Sequence, residues 1–153
     1  MKTAFAVYYK YADMTDPTDP DIKTNFFCLC KIKAEAEKIC NNYNGKTISE
    51  EYFFVEVAIL RLPLARYWFD RIDAGIKRFE YREVKSYWDK RIGCLRYSDL
   101  PKMVIFVRGY SNRMLLADIE SIQIVYGFNT DLHIHKNVYQ IYFENVRNYR
   151  GEK

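Results

Sequence analysis

Histidine is scarce in this 153-residue chain, cysteine is limited to four residues, and no long apolar run occurs. No stretch of about 18 apolar residues is present, which excludes a membrane-spanning helix of ordinary length. The opening "MKTAFAVYYKYAD" has an apolar run too short and too aromatic for a secretory leader. A reducing cytoplasm with free thiols is therefore the expected setting. Both histidines lie in "DLHIHKN", too few for a His-rich metal tract. A zinc site would need Cys28, Cys30 and Cys40 with His133 or His135, but the "CLC" spacing lacks the two-to-four-residue gap of a zinc site. No metal, cofactor or membrane partner is expected. No repeat or low-complexity segment is visible.

What the chain does have is aromatic weight. Of its residues 49% are hydrophobic, 29% charged and 17% aromatic, with 14 tyrosines and 10 phenylalanines. Many tyrosines suit amphipathic strands, nucleobase stacking or a partner surface. A chain of this size buries roughly 68–70% of its unfolded surface and needs no disulfide or metal to fold. Its charge is unevenly spread. Residues 1–59 carry 7 Lys/Arg against 9 Asp/Glu, residues 60–115 carry 13 against 6, and residues 116–153 carry 4 against 5. The positive charge is thus concentrated in the middle, as expected of a region that meets phosphates or another acidic partner.

Periodicity and turn chemistry divide the chain at about residue 57. "TAFAVYYKY" reads as a strand, "ADMTDPTDPDIKT" as a loop with two Asp-Pro steps, and "NFFCLCKI" as a second strand. "KAEAEKICNNYN" reads as a helix burying Ala36, Ile39, Cys40 and Tyr43, closed by Asn44-Gly45. "EEYFFVEVAILRL" is a long strand. Residues 1–57 thus form a small β-β-α-β module. Next, Pro63 suits a helix start, and Leu64, Trp68 and Ile72 recur every fourth residue, which puts Trp68 in the core. Gly75 sits where that helix stops with positive φ. The strand "KRFEYREV", the basic and aromatic turn "KSYWDKRIGCLRYSDLPK", and the strands "MVIFVRGY", "RMLLADIESIQIVY" and "VYQIYFENV" follow. The expected class is α+β, with residues 58–153 as a small, partly closed β-barrel and a helix at its mouth.

Within "DAGIKRFEYREVKSYW" stand seven charged side chains and four aromatics. The order of a helix bearing "YWFDRIDAG", then "IKRFEYR", "YWDKRI" and an apolar strand ending in "GY" resembles the ASCH family of the PUA-like superfamily, over about residues 58–146. The resemblance rests on Gly75, Lys77, Glu80 and Arg82. It implies a β-barrel whose cleft lies between helix and motif strand, and a ligand that is RNA or nucleotide-like. Some members hydrolyse the acetyl amide of acetylcytidine and others are reported as ribonucleases. The amidohydrolase branch pairs the lysine with a threonine three residues on and a more distant glutamate. Lys77 matches the lysine, but Glu80 stands at the threonine position, and Asp118 and Glu120 are the only acids near the third.

Strand alternation separates Arg78, Glu80 and Arg82 from Phe79 and Tyr81. The expectation is that the rings pack inward while the charges line the cleft. Glu80 between two arginines is expected to be ionised, with a lowered pKa. Lys77, desolvated beside Arg78 or Arg82, would have a lowered pKa and serve as base or nucleophile. Glu80 would carry the proton and Arg82 stabilise developing negative charge or clamp a phosphate. Tyr87 and Trp88 could stack on a base, with Arg91, Arg108 and Tyr110 at the rim. The alternative to a cleft is a cross-strand ladder of Arg78, Glu80 and Arg82. Three functions follow: an RNA- or nucleotide-binding module, a hydrolase at the same cleft, or an interaction or inhibitor protein of the compact kind found in phage genomes, docking a partner through residues 1–57.

Overall fold

A computed structural model describes residues 1–13, 21–44, 46 and 50–151. Most of the expected Asp-Pro loop and the helix-closing Gly45 lie outside these residues. The chain divides into two compact units, one of Thr3–Val57 and the other of Met1–Lys2 with Ala58–Gly151. The first contains most of β1 (Lys2–Asp13), β2 (Asp21–Cys30), α1 (Lys33–Asn44) and the first half of β3 (Glu50–Leu64). β1 and β2 pair antiparallel, with an irregularity between Val7 and Tyr8. Its core is Val7, Cys30, Ala36, Cys40 and Tyr52. Asn44, the last residue of α1, exchanges two hydrogen bonds with the Tyr52 backbone, at 2.6 and 2.9 Å. That pair anchors the helix end to β3.

The larger unit holds the second half of β3, α2 (Arg66–Asp73), β4 (Phe79–Glu83), β5 (Lys102–Arg108), β6 (Met114–Tyr126) and β7 (Asn137–Tyr149). Three short helical pieces, Ser86–Trp88, Asp89–Gly93 and Cys94–Arg96, lie between β4 and β5, the middle one wound as a π-helix. β3 alternates strictly here: Ala58, Leu60, Leu62 and Leu64 are buried while the residues between them face outward. Pro63, expected to open a helix, is still in β3. α2 buries Phe69 and Ile72, whereas Trp68 is only half-buried.

β3 and β5 run parallel, with Leu62 opposite Phe106. Parallel neighbours need a long crossover, and residues 65–101 supply it. That crossover carries α2, β4 and the helical pieces. β4 does not join β3 or β5; it pairs antiparallel with β7 at the far edge. In the larger unit the strand order is β3-β5-β6-β7-β4, and in the smaller it is β2-β1-β3. The result is a mixed α+β fold, with the ladder of the larger unit left open. Among the described residues no ladder joins β4 back to β3, so the expected barrel closure is not seen. One side chain does reach across: Arg82 of β4 donates from Nη2 to the Pro63 carbonyl of β3 at 3.1 Å. A side chain therefore bridges strands that the backbone leaves unpaired.

No helix among the described residues is long and apolar enough to cross a membrane. The core of the larger unit is aliphatic around a contact between Phe106 and Phe143, whose ring centroids are 4.8 Å apart. Both rings are fully buried. Phe143→Ala should therefore lower unfolding stability by about 3–5 kcal/mol, from lost burial and the remaining cavity. Urea denaturation followed by circular dichroism measures this. A loss below about 1 kcal/mol would show that Phe143 is not a core anchor.

Candidate ligand-binding site

The site begins at the end of α2. Gly75 has φ of +73°, its N–H donates to the Ile72 carbonyl, and the Ile76 N–H donates to Arg71 O. This is a Schellman stop, and its left-handed residue is the expected Gly75. The Lys77 N–H donates to the same Arg71 carbonyl, at 3.1 Å. The helix end thereby sets where Lys77 leaves the backbone, two residues before β4.

The register of β4 on β7 decides which side chains turn inward. Glu80 lies opposite Ile141 and Arg82 opposite Tyr139, both buried residues. Phe79 and Tyr81 lie opposite Tyr142 and Gln140. Glu80 is thus the core-facing residue, with 4% exposure, while Phe79 is exposed and its ring packs 5.0 Å from Tyr142. This reverses the expectation that the rings pack inward. Arg78 is exposed, and Tyr142 is its hydrogen-bond neighbour.

Lys77, Glu80 and Arg82 nevertheless share a hollow. A space of about 60 Å³ is bounded by these three with Trp68, Tyr81 and Asp131. Arg82 Nη2 is 3.0 Å from Glu80 Oε1, and Lys77 Nζ is 3.7 Å from Glu80 Oε2. Lys77 also donates to Asp131 Oδ2. Its ammonium lies over the Trp68 ring at 4.6 Å and the Tyr81 ring at 5.3 Å. The Arg82 guanidinium lies over Trp88 at 5.2 Å. An adjoining, more open recess of about 190 Å³ includes Trp68, Arg78 and Phe79 in its wall.

Two cations and two carboxylates therefore meet between aromatic walls. Lys77 is only 9% exposed, and it faces two carboxylates rather than arginines alone. Burial pushes the Glu80 carboxyl above its ordinary value; Arg82 and Lys77 pull it down, and Asp131 adds to the rise. The expected lowering is overturned because desolvation of this carboxylate outweighs its two cations. Tyr81 is also raised, by burial first and then by Asp131 and Glu80. One donor of the Arg82 fork, the buried Nε–H, has no hydrogen-bond partner among the described residues.

No family model, curated protein or solved structure matches this chain. Its chemistry has to be read from the geometry. The other expected residues are dispersed. Trp88 backs Arg82 and packs against the core. Tyr87 and Arg91 are exposed and pair with each other, the guanidinium 4.6 Å from the ring centroid. Arg108 is held by Asp70, Nε to Oδ1 at 3.1 Å and Nη2 to Oδ2 at 3.2 Å. Tyr110 is fully exposed. Neither lines the hollow or its recess. Asp118 is bound by Arg147 and Asn145, at 2.8 and 2.9 Å. The acid beside Lys77 is Asp131, which no local pattern singled out. Trp68, expected in the core, is a wall of the hollow.

The helical pieces that carry Tyr87 and Trp88 are tied to β7. Tyr139 donates to Asp89 Oδ1 at 2.7 Å, and burial with this bond pushes the Tyr139 hydroxyl up to about 12. A Cβ on Gly93 would lie 3.3 Å from that hydroxyl, so a small residue suits this approach.

The raised Glu80 pKa has a definite sign in stability. Between the ordinary glutamate value and the raised one, the folded chain binds more protons than the unfolded chain. Stability from this group is complete below the ordinary value and is lost as pH rises through the folded one. Glu80→Gln should flatten that decline in urea unfolding measured across a pH series. A variant profile parallel to wild type would place the decline elsewhere.

Proposed function

We propose that residues of about 58–146 form an ASCH-like, PUA-like module that binds RNA or a nucleotide-like ligand at the Lys77–Glu80–Arg82 hollow. The observation that carries this reading is the charge-balanced cluster in which the buried Lys77 and Glu80 and the half-buried Arg82 meet between Trp68 and Tyr81, with the exposed Asp131 beside Lys77. Two cations opposite two carboxylates suit a polar, nearly neutral group better than a bare phosphate. The edge of a nucleobase is such a group, with donors and acceptors in one plane. Trp68 and Tyr81 supply aromatic faces. Glu80 accepts hydrogen bonds when ionised and donates one when protonated. The Schellman stop at Gly75 and the inward register of Glu80 and Arg82 give the motif its common focus.

A second reading, hydrolysis of an amide on a modified nucleoside at the same hollow, draws on one feature. The raised Glu80 carboxyl lies next to the Lys77 amine, so a proton can be carried to a leaving nitrogen. The attacking oxygen comes from water, whose proton Asp131 beside Lys77 is placed to accept; Glu80 gives its proton to the nucleoside nitrogen as the C–N bond breaks, and acetate leaves.

Titration calorimetry with cytidine, uridine, acetylcytidine and short RNAs tests binding. Wild type should bind at least one of them, and Lys77→Ala and Trp68→Ala should weaken it about tenfold or more. Thermal denaturation verifies that the variants remain folded. Acetate release from acetylcytidine, lost in Lys77→Ala, would select the hydrolase. Absence of affinity for every nucleoside and RNA tried would sink both readings.

A further inference from the structure

A groove larger than the hollow around Glu80 lies in the same unit: it has about 340 Å³, and its walls include Lys2, Arg61, Tyr87, Lys90 and Arg91. β3 supplies its floor from the face opposite the core: Ile59, Arg61 and Pro63 alternate with the buried Leu60, Leu62 and Leu64. The helical pieces after β4 supply the other wall. Four cationic side chains line this groove, and among the described residues no acidic one does. Among the described residues none of the four forms an ion pair, whereas Lys77, Arg82, Arg108 and Arg113 all do. Arg61, Lys90 and Arg91 are exposed. Uncompensated positive charge in a concave surface concentrates anions there.

The groove also contains an aromatic face. Tyr87 is 53% exposed, with its ring 4.8 Å from Trp88 in an edge contact and Arg91 over it. Its ring is held from two sides and still open to the groove. Cations tracking a backbone, with a ring on which a base can stack, are the elements of single-strand recognition.

We infer that this groove is a second binding site, which takes the phosphodiester backbone of single-stranded RNA through Lys2, Arg61, Lys90 and Arg91 and stacks one base on Tyr87. It is separate from the charge-balanced hollow and does not rest on the reading of that hollow. The two adjoin through Pro63, which lines the groove and whose carbonyl accepts the Arg82 hydrogen bond.

The test is fluorescence anisotropy of a labelled ten-nucleotide oligouridylate with the full chain across a salt series. Wild type should bind with a log–log salt slope of about −2 to −3, since each phosphate contact on a single strand contributes about 0.7. Arg61→Glu combined with Lys90→Glu should weaken binding at least about tenfold and flatten the slope, with an unchanged melting temperature. Tyr87→Ala should weaken binding about tenfold with the slope retained, because stacking is not ionic. The inference is overturned if the double variant binds within about twofold of wild type. It is equally overturned if a duplex of matching length binds as well as the single strand, or if vesicles with phosphatidylserine capture the chain while the oligonucleotide does not bind. Nucleoside binding in the hollow is read separately through Lys77→Ala, so either site can fail alone.

Discussion

A carboxylate in a protein interior must be paired, and Glu80 sets the terms for everything around it. It sits on the core-facing side of an edge strand, opposite Ile141. Arg82, two residues on, follows it inward because strand side chains alternate. Lys77 approaches from the helix stop at Gly75. Asp131 then balances the second cation. Each partner has a further engagement: Arg82 with Pro63 O and Trp88, Lys77 with Trp68 and Tyr81. One buried charge thus draws together six side chains: Arg82, Lys77, Asp131, Trp68, Tyr81 and Trp88.

The parallel pairing of β3 with β5 explains how these segments meet. The strands on either side of the crossover are neighbours, so the 37 residues between them, 65–101, must leave the sheet and return. Most crossovers are a helix. This one also places β4 on the far edge beside β7 and holds its helical pieces through Tyr139 and Asp89. The mixed charged and aromatic stretch has to satisfy both demands. Glu80 and Arg82 face the core and need partners, while Phe79 packs on Tyr142 and Tyr81 walls one side of the hollow.

Two kinds of polar concavity result, and their electrostatics differ. In the hollow, opposite charges are close together, and Lys77 and Glu80 are withdrawn from water. In the groove, cations stand in the open, and no acidic side chain is among its described lining residues. The positive excess of residues 60–115 is therefore not all in one place. Lys77, Arg82, Arg108 and Arg113 are neutralised by carboxylates. Arg61, Lys90 and Arg91 are not. Counting charge along the sequence could not separate these groups, because an ion pair depends on which residue lies opposite.

Local signals carried far. The helix stop at Gly75 follows from glycine's tolerance of positive φ, and α1 follows from its apolar spacing. β3 is visible as a long run of strand-forming residues, and its alternation fixes which face is buried. The set of Lys77, Glu80 and Arg82 is also legible, because two residues share a strand face and the third lies at a helix stop. What only the tertiary structure decided was which face of β4 turns inward, where β4 pairs, and which acid meets Lys77. Alternation defines two faces but does not say which is buried; that depends on the register with β7. Asp131 is 54 residues from Lys77, and Trp68 became a cleft wall because Phe69 and Ile72 point α2 at the core. Short-range propensity sets elements, whereas burial and charge pairing are set by neighbours distant in sequence.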